Sequence, residues 1–92
     1  MSYVVEKGEN AYRRLIGLSL ILISQVEEAL DRLAEDPLNL GRKAIFPFVP
    51  RGNMYSFQTL FEGEKYYFRA FYYFKADEHT ILVHDITVTT SR

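Results

Sequence analysis

Tyr66-Tyr67-Phe68-Arg69-Ala70-Phe71-Tyr72-Tyr73-Phe74 is the stretch on which the fold turns. It holds half of the seven tyrosines and seven phenylalanines of the chain, with a single charge in its middle. Aromatic side chains favour strands, where flat rings pack on a pleated surface. Alternate strand residues face opposite ways, so Phe68, Ala70 and Tyr72 share one face and Tyr67, Arg69, Phe71 and Tyr73 the other. Both faces are apolar, which predicts a central strand covered at least partly on both sides. Arg69 is the exception. It either stacks on Tyr67 or Tyr73 or pairs with a carboxylate, or it meets a phosphate in a groove on the open face.

Outward from this strand the chain reads as a meander. Tyr55, Phe57, Thr59 and Phe61 alternate with Ser56, Gln58 and Leu60, the pattern of a half-buried strand. Glu62-Gly63-Glu64 turns the chain into the aromatic strand, and Lys75 to His79 turns it out again. Thr80 to Thr90, rich in Ile, Val and Thr, makes the last strand. Its one odd pair is His84-Asp85, and alternation places these two on opposite faces. Upstream, Leu38 to Gly52 is a connector with a basic cluster, Gly41-Arg42-Lys43. Its apolar run Ile45 to Val49 reads as extended, and Pro50-Arg51-Gly52-Asn53 reads as a turn.

The first part of the chain is helical. Tyr3-Val4-Val5 predicts a short edge strand, and a turn at Gly8-Glu9-Asn10 starts a helix in which Tyr12, Leu15 and Ile16 share a face. Gly17 and Ser19 break it. Ile23, Val26, Leu30 and Leu33, widened by Leu22 and Ala29, give a second helix one continuous apolar stripe. Asp36-Pro37 stops that helix, because the residue before proline is pushed out of the α region. Leu20 to Ile23 exceeds the apolar content a surface helix needs. These residues are either buried in a small core, the reading favoured here, or docked on a second chain.

Ninety-two residues predict one domain spanning 1–92. There are no cysteines, which excludes a disulfide scaffold and cysteine-based metal or nucleophile chemistry and suits a reducing cytoplasm. Glu6, Lys7, Glu9 and Asn10 interrupt any early apolar run, so no signal peptide is expected, and no stretch is long enough to span a bilayer. A net charge of −1 argues against a strongly basic nucleic-acid binder. The charge is uneven, though: residues 1–40 carry four basic and seven acidic groups, and residues 41–92 seven basic and five acidic. His79 and His84 lack metal-site spacing, so no metal or cofactor is expected.

A short strand, a helical hairpin and an antiparallel meander make an α+β plan, with the helices on one face of a mainly antiparallel sheet. The order and three of its stretches resemble the RelE/ParE superfamily of bacterial toxin–antitoxin toxins, nearest the HigB-like, phage-related branch. The stretches are Glu28 to Pro37 with Gly41-Arg42-Lys43, Gly63 to Phe74, and Ile81 to Ile86. The resemblance implies a cytoplasmic toxin neutralised by a small antitoxin, and an endoribonuclease that cuts mRNA, commonly on the ribosome, without a metal. In such chemistry a 2′-hydroxyl attacks the adjacent phosphate with help from a base, a phosphate-bound cation and a proton donor. Carried onto this chain, Arg69 is the phosphate cation and His84 the acid–base group. Lys43 and Arg51 add phosphate contacts, and Tyr67 and Tyr73 stack a base.

The chain departs from the family where charge is expected. Ser56 and Gln58 stand for a glutamate and an arginine, Asp85 for a glycine, and Val88-Thr89 for a lysine pair. Each change removes a cation or adds an anion near the expected groove. His84 is then either catalytic or a strand histidine satisfied by a neighbouring backbone or carboxylate group. The corresponding alternatives for the whole chain are a catalytically degenerate or ParE-like toxin that works by binding, or a small module that dimerises through its second helix.

Overall fold

The computed structural model describes residues 2–43 and 52–90. Strand β1 (Val4–Lys7) leads into helix α1 (Glu9–Ile16), then α2 (Leu20–Glu35) and the single turn α3 (Pro37–Leu40). Strands β2 (Arg42–Lys43), β3 (Asn53–Phe61), β4 (Glu64–Phe74) and β5 (Thr80–Thr90) complete the chain. They form one sheet in the order β1-β5-β4-β3-β2. Only β1 pairs parallel, with β5; the other described pairs are antiparallel. This is the α+β architecture expected from the sequence, with the aromatic strand β4 at its centre. The short strand lies at one edge, as anticipated.

The helices cover one face of the sheet. Ala11 and Leu15 of α1, and Val26, Ala29, Leu30 and Leu33 of α2, pack on Tyr55, Phe68, Ala70, Tyr72, Ile81, Val83 and Ile86. Phe68, Ala70 and Tyr72 thus form the buried face of β4, while Tyr67, Arg69 and Tyr73 are exposed. The helices cover one face of the strand, and not both as its apolar content predicted. Phe57 stacks on Phe68 across the β3–β4 pair, with ring centroids 5.1 Å apart, a cross-strand contact that helps fix the register.

Two apolar expectations change. In α1 the buried pair is Ala11 and Leu15, whereas Tyr12 and Ile16 are exposed. At the start of α2, Leu22 is buried and Ile23 half-buried, but Leu20 is 84% and Ile21 59% exposed. Successive helical residues are about 100° apart, so four in a row sweep the whole circumference and cannot all face one core. Ser19 caps this helix, its hydroxyl accepting from the Leu22 N–H at 3.2 Å.

The turns follow local chemistry. Glu62 and Gly63 have φ of 52° and 79° between the paired residues Phe61 and Glu64, the two-residue turn whose twist matches a hairpin. In the β4–β5 turn the Asp77 carboxylate accepts from the backbone N–H groups of His79 and Thr80 and from the Thr80 hydroxyl. These bonds, His79 foremost, hold its pKa below the ordinary carboxylate value. The expected extended run Ile45 to Val49, and Pro50 and Arg51 of the expected turn, lie outside the described residues.

The exit of α2 is tied to the sheet by one buried hydroxyl. Tyr72, fully buried, donates to the Pro37 carbonyl at 2.9 Å. The Gly41 N–H closes the α3 turn on the same carbonyl at 3.2 Å. A β-carbon on Gly41 would collide with the Tyr72 hydroxyl and lie 3.0 Å from the Pro37 oxygen. Gly41→Ala should therefore lower stability by roughly 2–4 kcal/mol, as overpacking and a broken buried hydrogen bond do together. Combined with Tyr72→Phe, its cost should fall short of the sum of the two single losses, read from denaturant midpoints.

Burial also pushes the Tyr72 phenol up to about 12. An acid whose folded pKa is raised keeps its full contribution below its unfolded pKa, near 10, and loses it as pH rises toward the folded value. Wild type should lose roughly 2–3 kcal/mol between about pH 10 and pH 12 relative to Tyr72→Phe. Parallel melts of the two proteins across that range measure the difference.

Candidate functional site

The sheet face opposite the helices is organised in rows by strand register. Ser56, Arg69 and Thr87 stand side by side on β3, β4 and β5, and so do Gln58, Tyr67 and Thr89. With Phe57 and Phe68 they line a shallow groove of about 580 Å³. Arg69 is the one formally charged group in this lining. It is exposed, and among the described residues it has neither a carboxylate within 4 Å nor a hydrogen-bond partner. The ion-paired reading of this arginine therefore has no partner there, and the guanidinium is free to meet an anion. Tyr67, 41% exposed, offers a ring face two residues away on the same strand. The rest of the rim is hydroxyl and amide, groups that donate and accept hydrogen bonds without adding charge.

His84 occupies a break in the ladder. Phe71 pairs with Asp85 but Tyr72 pairs with Val83, so His84 is the extra residue of a β-bulge. Its ring centroid is 6.4 Å from that of Phe71 and 5.8 Å from that of Tyr73. Phe71 and Tyr73 alternate with the buried Tyr72, as Arg69 does with Ala70, so imidazole and guanidinium share the open face. His84 is not part of the groove lining, however; Phe71 stands between the two along β4. Its Nε2 is buried and has no hydrogen-bond partner among the described residues. The neighbouring group expected of a satisfied strand histidine is thus missing at this nitrogen.

Asp85 does not bring its charge into the groove. Its Oδ1 accepts from the Ile86 N–H at 2.8 Å and lies 3.5 Å from Arg14 Nε. It lines a separate recess with Asn10, Arg13 and Arg14 beside α1. The bulge makes this possible, because the extra residue lets Asp85 leave the face it would otherwise occupy.

The remaining candidates are spread out. Tyr73, 41% exposed, stands beside His84 rather than in the groove. Lys43 belongs to β2 and pairs with Asn53. Arg51 lies outside the described residues. Arg42, in the basic cluster but not among the site residues inferred from sequence, lines a second recess with Leu40, Met54 and Ser56. Ser56 belongs to both hollows, so this recess continues the groove. Among the described residues no three His, Asp or Glu side chains come together as a metal site, and no described helix is long and apolar enough to cross a membrane. Tyr12, Ile16, Leu20 and Ile21 leave the elbow between α1 and α2 apolar and exposed.

No family model matches the chain, and no curated protein matches it. Among solved structures it resembles a chain of the RelBE2 toxin–antitoxin complex of Mycobacterium tuberculosis. The TM-score is 0.73 at 21% identity, over 97% of this chain and the whole of that one. The helices on one face, the mainly antiparallel sheet and this likeness agree: the chain has the RelE/ParE-like α+β fold.

Proposed function

We propose that this chain is the toxin of a bacterial toxin–antitoxin pair and acts on RNA through the open face of its sheet, as a metal-independent endoribonuclease working on mRNA at the ribosome. The observation that carries the reading is the unpaired, exposed Arg69 set in a groove of hydrogen-bonding neutral groups. A guanidinium there offers a phosphate a forked set of donors. Tyr67 beside it offers a base a stacking surface. A solved chain of like fold belongs to a toxin–antitoxin complex, which supports a small antitoxin as partner.

In the reaction, the 2′-oxygen forms a bond to the adjacent phosphorus while the bond to the 5′-oxygen breaks. A proton leaves the 2′-hydroxyl and another reaches the 5′-oxygen, giving a 2′,3′-cyclic phosphate and a 5′-hydroxyl end. Arg69 stabilises the charge that builds on the phosphoryl oxygens. His84 carries the imidazole of this face, a side chain that can both accept and donate a proton. Arg51 and Tyr73 extend the contact with the strand, whereas Lys43, paired with Asn53 and adjacent to Arg42 on β2, alternates to the other face.

A second reading, a toxin-fold protein that binds without cutting, is favoured by one feature. Ser56, Gln58, Thr87 and Thr89 do not titrate near neutral pH, and His84 stands outside the groove they line.

Induced expression in a bacterium should arrest growth, and mapping of RNA ends should reveal 2′,3′-cyclic phosphates. Arg69→Ala should abolish arrest and slow cleavage roughly 10²–10³-fold with an unchanged melting temperature, since its side chain is exposed. Arrest without new RNA ends selects the binding-only reading. An Arg69→Ala protein that aggregates makes Arg69 structural and removes it from the site.

A further inference from the structure

The groove does not stop at Arg69. On β3, Met54, Ser56 and Gln58 alternate with the buried Tyr55 and the core-packed Phe57, so these three belong to the open face. Arg42 of β2 is paired directly with Met54, and directly opposed residues share a face. It lines the recess that Ser56 joins to the groove. Like Arg69 it is exposed, and among the described residues no carboxylate lies within 4 Å of it. Arg13 and Arg14, by contrast, are each within reach of an acid on the other side of the molecule.

The register sets the separation. From Arg69 to Arg42 is two strand spacings across the sheet and two residues along it, so their Cα atoms lie about 12 Å apart. Between them stand Ser56 and Met54, one a hydrogen-bonding group and the other an adaptable apolar one. A long basic channel would hold a polyanion anywhere along its length. Two arginines with a neutral floor between them hold it at two points.

We infer that Arg42 and Arg69 form a two-point clamp for two phosphates of one RNA strand, which crosses the sheet obliquely from β4 over Ser56 to β2. The inference rests on the RNA reading of the groove and adds its direction, its footprint and a residue. The clamp accounts for how a groove so poor in cations can grip a polyanion, and it makes binding shallow in its salt dependence.

The test is binding of fluorescein-labelled hexauridylate, followed by anisotropy from 50 to about 300 mM salt. For a single strand the logarithm of the affinity falls with log salt by about 0.7 per phosphate neutralised. Arg42→Gln and Arg69→Gln should each make that slope shallower by about 0.7, and the double variant by about 1.4. Arg42→Lys should restore the slope, because the charge is kept. Arg13→Gln, on the helical side, should leave it unchanged. If Arg42→Gln leaves the slope as in wild type while Arg69→Gln lowers it, the clamp is wrong and the RNA reading stands. If Arg13→Gln lowers it as much as Arg42→Gln, binding follows overall charge and the clamp is wrong. If wild type does not bind the oligonucleotide, the RNA reading fails and the clamp with it. Circular dichroism melts of each variant accompany the titrations, and a variant that melts as wild type reports on binding alone.

Discussion

Strand β4 is hydrogen-bonded along both of its edges, to β3 on one side and β5 on the other. That constraint organises everything else. A strand so held cannot slip by one residue without turning its whole buried set toward solvent. Phe68, Ala70 and Tyr72 are each 1% exposed or less beneath the helices, so a slip would forfeit three core side chains at once. The same pairing obliges Arg69 and Tyr67 to face the other way. A charged residue in the middle of an aromatic strand is tolerated because it lies on the uncovered side of a register fixed by the covered one.

Registers carried across three strands then build the groove. Ser56 and Thr87 flank Arg69, and Gln58 and Thr89 flank Tyr67, although they come from distant parts of the sequence. The hydroxyls and amide preserve hydrogen bonding while lowering the field that a cluster of lysines and arginines would create. The bulge at His84 is the other shaping device. It takes one residue out of the ladder, places an imidazole against the rings of Phe71 and Tyr73, and releases Asp85 toward Arg14 on α1. The carboxylate thus lies on the helical side, away from the groove that Arg69 lines.

At the far edge, the Tyr72 hydroxyl links the centre of the sheet to the turn after α2 through the Pro37 carbonyl. The absence of a side chain at Gly41 lets that turn close against the ring. The residue that follows is Arg42, so one buried hydrogen bond on the covered side positions a cation on the open side. Packing and the candidate site are thus joined through the backbone of β2.

The sequence by itself determined the alternation of β4, the stripe of α2, the hairpin at Glu62-Gly63 and the α+β order. These are local periodicities of two and 3.6 residues, written in neighbouring side chains. It also singled out Arg69, because a charge in an apolar strand breaks the pattern, and placed Tyr67 on the same face. Only the tertiary structure decided which neighbours they have. Thr87 and Arg42 belong with Arg69 through pairing between strands, and no spacing along the chain encodes that. The bulge was likewise hidden, since His84-Asp85 reads as plain alternation until β5 is laid against β4. The exposure of Leu20 and Ile21 depended on where α2 rotates over the sheet, which the core as a whole fixes rather than any one segment.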